Sequence, residues 1–225
     1  MINSTNSWNM DSLTNYAKNN MLAVGAGVAL LLVSAGGWYT YRYFDLQKEE
    51  AAHTILVDCL AQYEDAAQGR SQWSNVIAMC QAGYEKYSGT KVAPYIVAIQ
   101  VDALLADQKQ QEALEKLDLM LSRLSASSPL YNLYAMKHAL LRLDMNDQAL
   151  KEKGLADLEK LALDSSNIYN DAAQFYLGLY YREQGEQNKA ADTWKKLIAL
   201  NDSIADDQGK SPWAALAQEK INGLA

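Results

Sequence analysis

Apolar residues recur every three or four positions along most of the chain, and polar turns interrupt this pattern at regular intervals. Such spacing places apolar side chains on one face of an α-helix, whereas a strand would alternate at every second position. The turns are centred near Gly69, Gln108, Asn146 and Gly185, at intervals of 39, 38 and 39 residues. We therefore expect an all-α chain in which helical hairpins stack as a solenoid.

The same pattern predicts where individual helices begin and end. One uninterrupted helix is expected over residues 38–68, and a second over residues 73–87 after the turn at Gly69. Proline suits the first turn of a helix, because the backbone N–H that it lacks has no partner there. Three positions fit this role, two of them preceded by a serine that can cap the helix: Pro94, Pro129 and Pro212.

The last hairpin has the spacing of a tetratricopeptide repeat. Small residues let its two helices cross closely, and aromatic residues fill the space around the crossing. The positions that match the repeat are Leu177, Gly178, Tyr181, Gly185, Ala190 and Trp194. By the same spacing, Phe175, Leu179 and Arg182 would line a partner-binding groove on the inner face of the first helix. Ordinary core packing between hairpins is the alternative for Phe175 and Leu179.

Residues 21–39 form an uncharged, largely apolar run of 19 residues, followed directly by aromatic residues up to Phe44. A helix of that length covers about 28 Å, close to the hydrocarbon thickness of a bilayer. We therefore predict a short N-terminal segment at 1–20, a transmembrane helix with an aromatic belt at 21–44, and the solenoid at 45–225. A buried core helix, or a signal peptide cleaved near Ala35, are the alternatives.

Small residues four positions apart occur twice in the uncharged run: Ala23 with Gly27, and Gly25 with Ala29. Such pairs allow another membrane helix to approach closely. They are also what the ordinary abundance of glycine and alanine in membrane helices would produce, so both interpretations stay open.

The two cysteines lie at similar distances from the turn at Gly69, Cys59 ten residues before it and Cys80 eleven residues after it. Both belong to the apolar stripes of the first hairpin, so we expect them to face each other. A disulfide would need an oxidising compartment. Two buried free thiols are the alternative.

The net charge of −7 argues against a nucleic-acid partner, because phosphates favour a basic surface. Residues 1–44 carry one acidic and two basic side chains, so residues 45–225 carry −8. The catalytic motifs of metalloproteases, P-loop enzymes and serine hydrolases are absent from the sequence. Neither His53 nor His138 stands in a catalytic pattern. We expect no enzyme activity, no cofactor and no metal site.

Several short motifs resemble the ancillary SecYEG translocon subunit family (YfgM-like). They are the glycine-rich run ending in Gly37-Trp38, the segment Tyr87-Ser88-Gly89-Thr90 with Ala93, the last repeat from Gly185 to Trp194, and the ending Glu219-Lys220-Ile221-Asn222-Gly223-Leu224. The cysteines and the longer helix from Gln148 to Leu163 depart from that family's pattern.

This resemblance implies a single-pass protein of the bacterial inner membrane, with a cytoplasmic N-terminus and a periplasmic C-terminal domain. It implies three kinds of protein partner: the SecYEG translocon, a membrane-anchored periplasmic chaperone, and exported clients that pass between them. The function expected is a membrane-anchored interaction scaffold. An envelope or cell-division tether without client handling is one alternative, and a cleaved, soluble periplasmic adaptor is another.

Overall fold

The computed structural model describes Lys18, residues 21–202 and residues 211–223. All regular secondary structure in these ranges is helical, which confirms the all-α prediction. The predicted N-terminal segment at 1–20 lies outside the described residues, apart from Lys18.

The helices run in the order expected for consecutive hairpins. Their bounds are α1 (Met21–Ala67), α2 (Trp73–Tyr87), α3 (Ala93–Ala106), α4 (Gln110–Leu121), α5 (Pro129–Asp144), α6 (Gln148–Leu163), α7 (Asn170–Glu183), α8 (Gln187–Asp202) and α9 (Pro212–Asn222). The chain divides into two compact units, Met1–Ala51 and Ala52–Ala225. Helix α1 therefore contributes its first part to one unit and its last part to the other.

The described part of the first unit exposes many large apolar side chains. Eight of them are between 57% and 73% exposed: Leu30, Leu31, Leu32, Val33, Trp38, Tyr39, Tyr41 and Phe44. Among the described residues, however, no helix was found with both the length and the apolar character needed to cross a membrane. The transmembrane helix predicted at 21–44 therefore has no support from the structure.

The second unit is built from hairpins whose turns fall where the sequence predicts them. Gly69, Gln108 and Gly185 have positive φ angles of 74°, 61° and 77°. Glycine reaches this left-handed region without steric cost, which explains two of the three turns. Between α5 and α6, Asp147 caps the second helix by accepting two backbone N–H groups, at 2.8 and 3.1 Å.

Consecutive helices from α2 to α9 pack against each other, and α7 also packs against α9. Three groups of buried apolar residues hold this stack together. One joins α1–α5 around Cys59, Ile96 and Leu117, one surrounds Leu158 between α5, α6 and α7, and one surrounds Trp194 between α7, α8 and α9. Each hairpin covers the apolar side of its neighbour, as the solenoid prediction requires.

Glycines mark the closest helix crossings. A Cβ atom on Gly178 would overlap Nε1 of Trp194 and lie 2.6 Å from Cε2 of the same ring. The Trp194 side chain is fully buried, and its Nε1–H donates to the carbonyl of Phe175 at 3.1 Å. At the crossing of α5 and α6, a Cβ atom on Gly154 would lie 2.7 Å from the carbonyl oxygen of Ala139. The small residues predicted for the last repeat therefore do allow close approach.

Helix α9 covers the end of the stack. Its Trp213 ring lies 5.3 Å from the ring of Phe175 and 5.4 Å from that of Tyr176. Ser211 caps the helix by accepting the backbone N–H of Trp213 at 3.2 Å, and its hydroxyl donates to Asp171 of α7. The serine–proline pair thus starts α9 and also attaches it to α7.

Candidate functional site: a groove between α5 and α7

A groove of about 380 Å³ lies between α5 and α7, the first helices of their hairpins. These two helices do not pack extensively against each other, which leaves the space between them open. Large apolar and aromatic side chains form most of the lining: Leu140, Leu143, Tyr176, Leu179 and Tyr180. We refer to this surface as the α5–α7 groove. Its volume is at the lower end of the range for ligand pockets, which suits a few side chains of a bound segment.

The tyrosine rings that line the groove pack against other aromatic side chains. The Tyr176 ring contacts Phe175 at 5.7 Å between ring centroids and Trp213 at 5.4 Å. The Tyr180 ring contacts Tyr181 in an edge-on arrangement at 6.0 Å. Because these contacts restrict the ring positions before any partner arrives, a ligand would lose less entropy on binding.

Charged residues lie at one end of the groove. Asp144 and Glu183 are the last residues of α5 and α7, and Lys151 of α6 lies in the same lining. The carboxylate of Asp144 accepts a hydrogen bond from Nε2 of Gln110 at 3.0 Å, which orients it. The groove therefore has a floor of leucine and tyrosine side chains and a charged rim in which carboxylates outnumber the one lysine, and its exposed surface is polar and apolar in similar measure.

A polar cluster joins the first helices of the earlier hairpins. The Asp102 carboxylate accepts from Lys137 at 2.8 Å and from the Tyr134 hydroxyl at 3.2 Å. The Lys137 ammonium also lies 4.6 Å from the centroid of the Tyr134 ring. Burial and the nearby Asp102 carboxylate raise the pKa values of Tyr134 and Tyr63. Since Lys137 is already paired, this cluster offers no unpaired cation for a partner's carboxylate.

A second groove, of about 410 Å³, lies on α6, α7 and α8. The Tyr181 hydroxyl in its lining donates to Glu159 at 2.7 Å. Burial and this hydrogen bond raise the pKa of Tyr181 to about 12. Because the Tyr181 hydroxyl hydrogen-bonds to α6, it helps to hold two neighbouring hairpins together.

A charged cluster connects α4, α5 and α6. Arg142 pairs with Asp157 at 2.7 Å and with Asp118 at 3.2 Å, and Nε2 of His138 lies 3.0 Å from the same Asp118 oxygen. Burial and the Arg142 guanidinium lower the pKa of His138, against the opposing effect of the two carboxylates. The sequence analysis noted only that His138 stands in no catalytic pattern, and it did not predict this buried position beside a charged cluster.

The three residues predicted to line a groove have three different environments. Leu179 does line the α5–α7 groove. Phe175 is only 5% exposed and packs among Trp194, Trp213 and Tyr176, so it lies in the core as the alternative interpretation had it. The Arg182 guanidinium lies 5.9 Å from the ring centroid of Trp194.

Cys59 and Cys80 are both fully buried, and their side chains interact closely enough to lower the pKa of Cys59 and raise the pKa of Cys80. The sequence argument that the two residues face each other across the first hairpin therefore agrees with this contact. Both thiols are free in the structure, and the disulfide stays a prediction.

Of the small residues predicted for membrane-helix packing, Gly25, Gly27 and Ala29 are exposed in the first unit, and the side chain of Ala23 lies outside the described part. A search of the described residues found no group of three histidine, cysteine, aspartate or glutamate side chains that could hold a metal ion.

No protein-family model matches the chain, and no curated protein matches it significantly. Two crystal structures are similar in fold: the nearly identical TPR-like repeats described for a kinesin light chain of Podosopora anserina, and a point variant of the same repeats. Their TM-scores are 0.53 and 0.54 at 14% sequence identity, over 79% of this chain and 86% of theirs. This likeness shows that the chain has a TPR-like repeat fold.

Proposed function

We propose that this chain is an interaction scaffold that binds short segments of other proteins in the α5–α7 groove. The observation that carries the proposal is an open groove between first helices of a TPR-like stack, lined by leucine and tyrosine side chains with charged residues at one end. Concave sites in which apolar and aromatic side chains surround a few positioned polar groups are typical of binding sites.

The finer proposal concerns where the scaffold works. The resemblance of the last repeat and of the ending Glu219–Leu224 to the translocon subunit family supports a role beside the SecYEG translocon. In that role the chain would help pass exported proteins to a membrane-anchored periplasmic chaperone. Residues 45–225, the body of the chain, would then lie in the periplasm of a bacterial cell.

The proposed attachment to the inner membrane rests on the sequence of residues 21–44. Its support is the uncharged run at 21–39 and the aromatic residues that follow it. The exposed apolar side chains from Leu30 to Phe44 are compatible with a lipid environment. External protease applied to spheroplasts should digest the body while an N-terminal tag survives, whereas a body protected until lysis would contradict this orientation.

Copurification after mild detergent extraction tests the functional proposal. We expect the full-length chain to retain both the translocon and a periplasmic chaperone. Replacing residues 21–39 by an unrelated apolar helix should abolish translocon copurification and leave chaperone binding intact. If the full-length chain retains neither partner, the translocon role is wrong, and a tether without client handling becomes the better account.

A further inference from the structure

We propose that the α5–α7 groove selects segments in which a large apolar side chain is flanked by lysine or arginine. This inference rests on the proposed function, because it names the kind of protein segment that the same groove would take. It follows from two features of the lining, the leucine side chains of the floor and the acidic end.

The leucine side chains of the floor favour a large apolar side chain from the partner. Leu140, Leu143 and Leu179 are partly exposed, and they face one cavity between two helices. Water in contact with these side chains would be released when an apolar side chain enters, which favours binding. The ring of Tyr176 is fixed against Trp213, so the floor is already shaped before binding.

The acidic end requires a basic neighbour. Asp144 and Glu183 are both exposed and both stand at helix C-termini, where the helix dipole is negative. The negative charge of each carboxylate is therefore destabilised by the dipole of its own helix. A cation bound at this end would be stabilised by both carboxylates and by both helix C-termini. Lys151 is the one basic side chain among the described residues that line the groove, and it offsets only part of this charge.

The net charge of residues 45–225 also favours a basic partner. Residues 45–225 carry −8, which attracts basic segments over a longer range and repels acidic ones. The same charge disfavours an anionic lipid surface as the occupant of this groove. A basic–apolar peptide segment is therefore the partner whose chemistry fits both the floor and the rim.

Peptide binding to the purified full-length chain tests this inference by fluorescence anisotropy. The probe is a labelled glycine–serine peptide with a central leucine–phenylalanine pair between two lysines. One matched peptide has glutamates in place of the lysines, and another has serines in place of the apolar pair. We expect binding of the first peptide alone, with an affinity that falls as salt is added.

Variants of the chain locate the site. The double variant Asp144→Lys with Glu183→Lys should lower the affinity for the lysine peptide about tenfold. Leu179→Ala should lower that affinity about tenfold as well. Asp192→Lys changes an exposed carboxylate on α8, outside the groove, and should leave the affinity within about twofold of wild type. Far-UV circular dichroism of each variant checks that the helices are retained.

The outcomes separate this inference from the function on which it rests. Equal binding of the lysine and glutamate peptides, or no effect of the double charge reversal, would overturn the basic preference while leaving the groove as a binding site. If Asp192→Lys lowered the affinity as much as the groove variants do, the peptide would not be binding specifically in the α5–α7 groove. If no peptide binds but cross-linking from the groove still captures proteins, the peptide class is wrong and the scaffold function stands.

Discussion

The crossing of α7 and α8 at Gly178 should tolerate no side chain larger than hydrogen. In a Gly178→Ala variant the new Cβ atom would overlap Nε1 of Trp194 and lie 2.6 and 2.7 Å from two carbon atoms of the same ring. Trp194 has no room to move, because it is fully buried and its Nε1–H is held by the carbonyl of Phe175 at 3.1 Å. The two helices must therefore separate, or the indole must leave its position.

The magnitude follows from two opposing effects. Overpacking a well-filled core costs about 1–3 kcal/mol, and three contacts with a fixed ring belong at the upper end of that range. Alanine gains about 1 kcal/mol over glycine in helix propensity. The net expectation for Gly178→Ala is a loss of about 2 kcal/mol in the free energy of unfolding.

Two other glycines provide graded comparisons. Gly89 has no atom within 4 Å of an added Cβ, so Gly89→Ala should not lower stability. At Gly83 the nearest atom is the Cγ2 methyl of Ile55, which can move away by a change of rotamer. Gly83→Ala should therefore cost less than Gly178→Ala.

Urea denaturation of the full-length chain, followed by circular dichroism, measures these differences. In a Trp194→Phe background the smaller ring leaves more room, so adding Gly178→Ala should cost clearly less than it does alone. A Gly178→Ala variant as stable as wild type would refute the reasoning. So would an unchanged cost in the Trp194→Phe background.

Three further predictions concern thiols and pH. Oxidation of Cys59 and Cys80 to a disulfide should raise the free energy of unfolding by about 3 kcal/mol, and full alkylation of both thiols in freshly trapped protein would contradict the bridge. Because the pKa of His138 is lowered in the folded chain, the free energy of unfolding should fall as the pH drops below about 6.5. This fall should be smaller in His138→Leu, whereas the control variant His53→Gln, at an exposed position, should show the same fall as wild type. Because the pKa of Tyr181 is raised to about 12, its contribution is present below about pH 10 and lost between pH 10 and 12, and Tyr181→Phe should remove that loss. Denaturation midpoints across pH test both, and pH profiles identical to wild type in these two variants would contradict the assignments.

The hairpin order was predictable because turns and helix starts depend on local chemistry. Glycine at positive φ, proline in a first turn and apolar spacing at three and four are readable without tertiary information. The period of 39 residues also places Leu140 and Asp144 at the positions of Leu179 and Glu183 in the next repeat. About half of the residues that line the groove could therefore have been predicted from the repeat spacing.

What the repeat register could not supply depends on packing beyond a single hairpin. Phe175 occupies a position that would face the inner side of a repeat, but Trp213 of α9 covers it. His138 stands where the next repeat has Leu177, and it is buried beside Arg142, which pairs with carboxylates from α4 and α6. Neither contact follows from the spacing of apolar residues on one helix.

Site-specific photo-cross-linking in cells tests most directly whether the α5–α7 groove binds protein segments. A photoreactive phenylalanine analogue would replace Leu140 or Leu179 in the groove, and the exposed Asp192 of α8 as the control. The account predicts discrete protein adducts from both groove positions and none from the control. Adducts from the control alone, or from no position, would contradict it.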